Sequence, residues 1–178
     1  MDLNRATQQP KVAVLLAALA ELKCEFTADR IRLVECGPGL GNGGFAPTTN
    51  DVVLCRNHLR HQQLLNDTLV HELVHAYDHC RQLRGKPLDP RDCAQSACTE
   101  IRAAALSGDC GWKQELLRGQ LRNSFVGSGA GGARRCARRR ATLSVSLNPH
   151  CGGARGAQSA VDGVFEECLR DRAPFPTL

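Results

Sequence analysis

Hydrophobic residues recur at two spacings along this chain, one typical of helices and the other of strands. Residues 12–22 carry apolar side chains every three or four positions after Pro10, which predicts an amphipathic helix. Residues 30–36 alternate apolar and polar side chains and residues 51–55 are mostly apolar, so both segments are predicted strands. The glycine-rich segment 37–44 between them is a predicted loop.

After the second strand, the pattern returns to helical spacing and keeps it to the end of the chain. This order predicts an α+β protein that is mostly helical, with a short sheet on its N-terminal side. A helix over 57–65 leads to the polar pair Asn66-Asp67, which we interpret as a plausible N-cap of the next helix, although the helix could also continue through it. The later helical segments are 69–81, 97–106, 112–122, 141–147 and 157–170.

The length of 178 residues suits one domain, and 42% hydrophobic residues are enough for a core. We therefore expect a single domain over residues 1–178, with its core at about 11–176. The run Gly127-Ser-Gly-Ala-Gly-Gly132 predicts a flexible insertion over 127–133.

The segment 69–81 contains the motif H-E-x-x-H at His71, Glu72 and His75. Four residues of helix rise about 6 Å and turn slightly more than once, so both histidines project from the same face. Two imidazoles placed in this way can bind one metal ion, and zinc is the usual choice. The alternative is that both histidines are hydrogen-bonded structural residues facing a core.

Glu72 lies about 100° around the helix from His71, close to the place where a metal-activated water would lie. Its carboxylate can take a proton from that water during attack on a peptide carbonyl and return it to the leaving amine. The motif therefore predicts a zinc metallopeptidase in which Glu72 is the general base.

A third ligand must come from elsewhere in the chain. His79 follows His71 by eight residues, about 12 Å along the helix axis, which is too far for both to bind one ion. Asp78 fails for a similar reason, and we expect it to pair with Arg81. The better candidate is Glu100, on the strong helix former Ala97–Leu106. The alternative for Glu100 is a salt bridge to Arg102 or Arg81.

Ten cysteines are spread over the whole chain without any C-x-x-C pair. Zinc-ribbon and thioredoxin motifs are therefore absent. An even number at long spacings predicts up to five disulfides and an oxidising compartment, with buried free thiols as the alternative. The spacing does not give the connectivity.

The N-terminal segment Lys11–Ala20 allows two interpretations. Its apolar run ends in Ala18-Leu19-Ala20, which is similar to a signal-peptidase site. However, the helical spacing continues past it to Leu22, which favours an amphipathic structural helix. The sequence contains no apolar run long enough for a membrane span, so we expect a soluble or peripheral protein.

Two further segments could bind partners. The strand over 51–55, beside the metal helix, could pair with an extended substrate by edge addition, with Gly43-Gly44-Phe45 as a flexible entry; an ordinary hairpin is the alternative. Arg134–Arg140 contains five arginines, which suit phospholipid head groups or nucleic acid. A solvated helix face is the alternative, favoured because the net charge is only +5 and no aromatic residues separate the arginines.

Most of the chain, from about Cys24 to Phe175, resembles a known family of mitochondrial inner-membrane proteases that are also assembly factors of the ATP synthase. The resemblance is far more specific than the five-residue motif. It is carried by Gly43-Gly-Phe45 with Asn50–Cys55, by Asn66–Arg81 around the motif, by Ala97–Cys110, by Cys136-Ala-Arg-Arg-Arg-Ala141 and by Ala160–Cys168.

This resemblance implies a zincin-like metallopeptidase that is peripheral on the intermembrane-space side of the inner membrane. It implies that His71 and His75 bind Zn²⁺ and that Glu72 is the general base, whereas Glu100 remains a geometric prediction. The implied protein substrate is the precursor of subunit a of the ATP synthase, and the implied second role is to help assemble that subunit in the Fo sector. The stretch 127–132 departs from the family, which has a more ordinary helix connection at this place.

Three functions follow from these observations. The first is a zinc endopeptidase acting on a membrane-protein precursor. The second is an assembly chaperone that uses the same fold without proteolysis. The third is a basic nucleic-acid-associated protein, which is the least favoured because the arginine run is its only support.

Overall fold

The computed structural model describes residues 1–120 and 130–175 of the chain. Within these ranges the protein is mostly helical and has one small three-stranded sheet, as predicted for the α+β class. The fold divides into two compact units. The N-terminal unit comprises Met1–Pro87 and the residues from Ala173 onward, and the C-terminal unit comprises Leu88–Arg172. A single domain over the whole chain stays a prediction.

The N-terminal unit contains three helices and the sheet. Short 3₁₀ turns at Ala28–Arg30 and Leu83–Gly85 join some of these elements. The elements are α1 (Leu3–Thr7), α2 (Pro10–Glu21), β1 (Ile31–Val34), β2 (Gly43–Ala46), β3 (Asp51–Cys55) and α3 (Gln62–Cys80).

Helix α2 confirms the predicted structural helix, with Pro10 in its first turn, where the missing N–H of proline costs nothing. Val12, Leu15 and Leu19 are fully buried, which agrees with the apolar stripe in the sequence. Leu22 is 41% exposed because the helix has already ended at Glu21.

The strand order is β1-β3-β2, with β1 parallel and β2 antiparallel to β3. Both predicted strands are present, and β3 has the predicted bounds. The third strand, β2, forms partly within the segment 37–44, where a loop was expected. The expectation that β3 offers a free edge is therefore wrong, because β3 is the central strand and is paired on both sides.

Helix α3 carries the H-E-x-x-H motif and is continuous from Gln62. The predicted N-cap at Asn66-Asp67 is wrong: His61 is the cap, and its Nδ1 accepts a hydrogen bond from the backbone N–H of Leu64 at 3.1 Å. The predicted helix before position 62 is absent, since residues 57–61 are not helical.

The polar pair Asn66-Asp67 fits inside α3 because residues one turn earlier bind it. Gln62 donates to Asn66 Oδ1 at 3.0 Å, and Gln63 donates to Asp67 Oδ1 at 2.8 Å. Such pairs four residues apart stabilise a helix, so the polar pair does not interrupt it. The predicted apolar side of α3 is confirmed, because Leu69, Leu73 and Ala76 are fully buried.

The described residues of the C-terminal unit form helices joined by turns and loops, without a strand. Its core uses small side chains, which let helices pack closely in a chain with only 4% aromatic residues. Fully buried members of this core include Ala97, Ile101, Ala137, Ala141, Ala157 and Val161. The helices are α4 (Cys93–Leu106), α5 (Trp112–Leu117), α6 (Ala130–Ser146) and α7 (Gly153–Arg170).

Two boundaries in this unit differ from the sequence prediction. Helix α5 ends at Leu117 rather than continuing to residue 122, and residues 121 and 122 lie outside the described ranges. Helix α6 begins at Ala130 and so includes part of the segment 127–133 that was predicted to be a flexible insertion. Residues 127–129 of that segment also lie outside the described ranges.

The arginine run lies on α6 and is paired with acidic side chains of the same unit. Arg139 binds both carboxylate oxygens of Glu115 at 2.8 Å, and Arg140 binds Asp109 at 2.7 Å. Arg134 and Arg138 pair with Glu166 and Asp162 on α7. These arginines are therefore not a simple solvated helix face, because much of their charge is compensated within the unit.

All ten cysteines form disulfides, which confirms the predicted maximum of five and rules out free thiols. Each bond lies within one unit. The pairs are Cys24–Cys80 and Cys36–Cys55 in the N-terminal unit, and Cys93–Cys151, Cys98–Cys168 and Cys110–Cys136 in the C-terminal unit.

Among the described helices, none combines the length and the hydropathy that crossing a bilayer requires.

Candidate metal centre

The two histidines of the motif lie side by side on α3. The ring centroids of His71 and His75 are 4.9 Å apart, and the rings are nearly perpendicular, at 73°. Both side chains are half-buried. This arrangement follows from their spacing of four residues on one helix.

Glu72 lies next to this pair and is only 7% exposed. Helical geometry places its side chain about 100° around the axis from His71 and about 60° from His75. A carboxylate that is buried beside two imidazoles is well placed to exchange a proton with a group held by them.

Strand β2 lies along the same side of α3 as Glu72. An ideal Cβ built on Gly43 would lie 3.1 Å from Cγ2 of Thr68, and the ring of Phe45 is 5.8 Å from the ring of His79. On the helical wheel, Thr68, Glu72, His75 and His79 fall within about 60° of one another. Strand β2 therefore contacts α3 one turn before Glu72 and one turn after His75.

Only one side of β2 is paired in the described sheet, because β2 is an edge strand in the order β1-β3-β2. Its other backbone edge can form hydrogen bonds with an added strand. Glycine at position 43 allows β2 to lie this close to β3, since the Cβ of any other residue there would lie 2.8 Å from the carbonyl oxygen of Val53.

The last turn of α3 holds the two residues that the sequence analysis set aside as ligands. Asp78 is fully buried and pairs with Arg81 at 2.9 Å, which confirms the predicted pairing. Burial lowers the pKa of His79, so the neutral imidazole is favoured. Its Nδ1 is buried and has no hydrogen-bond partner among the described residues.

Glu100 lies in the middle of α4, in the C-terminal unit, and is half-buried. Helix α4 begins after Asp92, whose side chain caps it by accepting a hydrogen bond from Gln95 N–H at 2.9 Å. Arg102, one of the two alternative partners of Glu100, is fully buried and pairs with Asp171 at 2.7 Å.

Strand β2 and the contact of Phe45 with His79 were not predicted from the sequence. Glycine disfavours strands, so Gly43-Gly44 indicated a loop rather than an edge strand. The only signal in the sequence was the pair Phe45-Ala46 before a turn, four residues ahead of β3. The strand forms because it lies on α3 and pairs with β3, and both contacts are long-range.

Two imidazoles one turn apart, with a buried carboxylate between them on the same helix, are the arrangement of the H-E-x-x-H metallopeptidases. The chain belongs to the Peptidase M76 family, which matches residues 2–176.

Curated relatives agree with this assignment. The chain is 37% identical over 166 residues to a mitochondrial inner membrane protease ATP23 of Meyerozyma guilliermondii, covering 93% of this chain and 64% of the relative. It is 33% identical over 172 residues to the protein of the same name in Schizosaccharomyces pombe, covering 97% and 87%. It is 42% identical over 137 residues to that of Neosartorya fischeri, covering 76% and 54%.

The chain thus spans less than two thirds of the length of several of these relatives, including those of M. guilliermondii and N. fischeri. No solved structure matches the chain significantly.

Proposed function

We propose that this protein is a zinc metalloendopeptidase whose metal is held by His71, His75 and Glu100. The observation that carries the proposal is the pair of imidazoles on α3, with centroids 4.9 Å apart, beside the buried carboxylate of Glu72. Membership of the Peptidase M76 family supports a peptidase activity.

The donor set fits a zinc ion. His71 and His75 each offer an imidazole nitrogen, and Glu100 offers a carboxylate oxygen. Two imidazole nitrogens and one carboxylate oxygen are a usual set for catalytic zinc, which keeps a further position for water. When bound, such an ion supplies Lewis acidity towards a carbonyl oxygen and lowers the pKa of water.

Glu72 moves the proton in this proposal. Its carboxylate accepts a proton from the attacking water, and the resulting carboxylic acid donates it to the nitrogen of the departing amine. Because Glu72 is 7% exposed, bulk water competes little with the substrate for its oxygens.

The peptide substrate is held as an added strand on the free edge of β2. Strand β2 contacts α3 at Thr68 and His79, one turn before Glu72 and one turn after His75. Backbone hydrogen bonds to its unpaired edge would hold an extended peptide without a requirement for particular side chains. A helix bearing the motif beside an edge strand also supports a zincin-like arrangement of the N-terminal unit.

The proposed location is the intermembrane-space side of the mitochondrial inner membrane, with peripheral attachment. Two observations support it: the relatives are named mitochondrial inner membrane proteases, and five disulfides require an oxidising compartment. The proposed substrate is the precursor of ATP synthase subunit a, and the proposed second role is assistance in Fo assembly. Both rest on the family resemblance.

Metal content tests the proposed ligands. Purified wild-type protein is expected to hold one zinc ion per chain, and His71→Ala and Glu100→Ala are expected to weaken zinc binding at least tenfold. Glu21→Ala is the matched control, because Glu21 is an exposed glutamate at the end of α2. Full zinc affinity in Glu100→Ala would show that the third ligand is another residue.

A further inference from the structure

Helix α5 exposes its apolar side chains and buries its polar ones. Trp112 and Leu117 are 66% and 67% exposed, and Leu116 is 41% exposed. Gln114 and Glu115, by contrast, are 5% and 3% exposed. This is the reverse of the usual surface helix, in which the apolar face packs on the core.

The two sides of α5 are separated cleanly on the helical wheel. The exposed residues 112, 113, 116 and 117 span an arc of about 140°, and residues 114 and 115 fall on the opposite side. The apolar face is therefore one continuous surface rather than a set of scattered residues.

Ion pairs explain why the polar side can be buried. Glu115 binds Arg139 of α6 at 2.8 Å and Arg118 at 3.2 Å, so its charge is compensated inside the unit. Asp109 pairs with Arg140 at 2.7 Å and also binds Arg118. These bonds fix the orientation of α5 and leave its apolar side facing outward.

Large apolar side chains that are exposed together in this way mark an interaction surface. The positive charge on this surface points to its partner. Lys113 lies on the exposed arc, between Leu116 and Leu117 on the helical wheel, whereas Arg139 and Arg140 bind the buried carboxylates Glu115 and Asp109. The Lys113 ammonium also lies 5.6 Å from the ring centre of Trp112. Tryptophan and leucine beside lysine match the chemistry of a bilayer interface, where acyl chains meet anionic head groups.

We propose that the surface formed by Trp112, Leu116 and Leu117 docks on an anionic lipid bilayer. These three residues enter the head-group region, and Lys113 lies against the phosphates. This inference rests on the proposed membrane location and adds to it the surface that makes the contact.

Tryptophan fluorescence tests the contact directly, because Trp112 is the single tryptophan of the chain. Whole protein is titrated with vesicles of phosphatidylcholine alone and of phosphatidylcholine mixed with phosphatidylglycerol. We expect the emission to move to shorter wavelength with the anionic vesicles, to be quenched by brominated acyl chains, and to respond less at high salt.

The double variant Leu116→Ser/Leu117→Ser keeps the fluorophore and removes two anchors, so we expect roughly a tenfold or greater loss of vesicle binding. Leu40→Ser is the matched control, because Leu40 is 62% exposed in the N-terminal unit. An unchanged emission with both vesicles, or an equal loss in Leu40→Ser, would overturn the proposal. An emission shift without lipid at rising protein concentration would also overturn it, since the partner would then be a second copy.

Cleavage of a soluble peptide separates this inference from the peptidase proposal. The double variant is expected to cleave such a peptide at the wild-type rate, because α5 carries no proposed ligand or base. Vesicle binding by a wild-type protein that cleaves nothing would leave the docking surface standing and refute the peptidase. Peptide cleavage by a wild-type protein that binds no vesicles would refute the docking surface and leave the peptidase proposal standing.

Discussion

The ring of Phe45 on β2 lies 5.8 Å from the ring of His79 on α3, tilted by 58°. This contact connects the free edge strand to the last turn of the helix that carries the motif. It keeps β2 on the side of α3 where Glu72 lies. In the proposed peptidase, the alignment of a bound peptide with Glu72 would therefore depend on Phe45, which is not one of the proposed ligands.

Phe45→Ala is expected to lower the rate of peptide cleavage while zinc content stays at the wild-type level. The physical reason is that β2 loses its aromatic contact with α3 and no longer fixes the edge. Peptide cleavage and zinc content, measured on the same preparation, check this. A loss of zinc in Phe45→Ala would mean that the residue supports the ligands rather than the edge.

Two neighbouring glycines on β2 offer a matched pair of substitutions. Gly43→Ala would place its Cβ 2.8 Å from Val53 O and 3.1 Å from Thr68 Cγ2, so we expect a loss of about 1–3 kcal/mol in the free energy of unfolding. Gly44→Ala meets nothing within 4 Å and should change stability little. Urea unfolding of both variants measures the difference, and equal stabilities would contradict the close approach of β2 to α3.

The disulfides differ in the length of chain that they enclose. Cys98–Cys168 spans 70 residues and Cys36–Cys55 spans 19, so the chain-entropy estimate makes the longer bond more stabilising by about 1 kcal/mol. Paired Cys→Ala variants of each bond, compared by denaturant unfolding, test this. A larger loss from removing Cys36–Cys55 would show that native contacts outweigh loop entropy here.

The buried imidazole of His79 predicts a pH dependence of stability. Burial lowers its folded-state pKa below the unfolded value of about 6.5, so the unfolded chain takes up the proton first. The His79 contribution is therefore lost as pH falls through about 6.5 towards the lower folded-state pKa, and it is constant at higher pH. The difference in unfolding free energy between wild type and His79→Phe, measured from pH 8 to pH 5, should change in this window. A difference that does not vary with pH would be inconsistent with a buried neutral His79.

The parts of the fold that depend on local pattern could be predicted from the sequence. Helix α2 and strand β3 follow from the pattern of nearby residues. The placement of His71 and His75 on one face of α3 also follows, because helical spacing alone determines it. The sequence could not predict β2, because Gly43-Gly44 has low strand propensity and the strand forms through contacts with β3 and α3.

Pairing between side chains explains why the predicted N-cap was wrong and why the partners of the arginine run could not be predicted. Asn66-Asp67 are typical capping residues, but Gln62 and Gln63 bind them inside the helix, so the cap moves back to His61. The partners of Arg139 and Arg140 lie 24 and 31 residues earlier in the chain, and no local pattern indicates such pairs. Local spacing therefore predicted how the motif residues face one another. The contacts around the motif, such as those of β2, join residues far apart in the sequence and could not be predicted in this way.

Loss of catalysis without loss of metal separates the peptidase from an assembly chaperone. In cells that lack their own relative of this protein, Glu72→Gln should fail to restore processing of the subunit a precursor if proteolysis is the main role. Restored ATP synthase assembly with unprocessed precursor would instead favour the chaperone function.

The most direct measurement of the central claim is zinc content together with peptide cleavage for wild type and Glu72→Gln. The account predicts one zinc ion per chain in both proteins and cleavage by wild type alone, with a loss of at least about a hundredfold in the variant. Wild-type cleavage by Glu72→Gln, or a wild-type protein that binds no zinc, would contradict it.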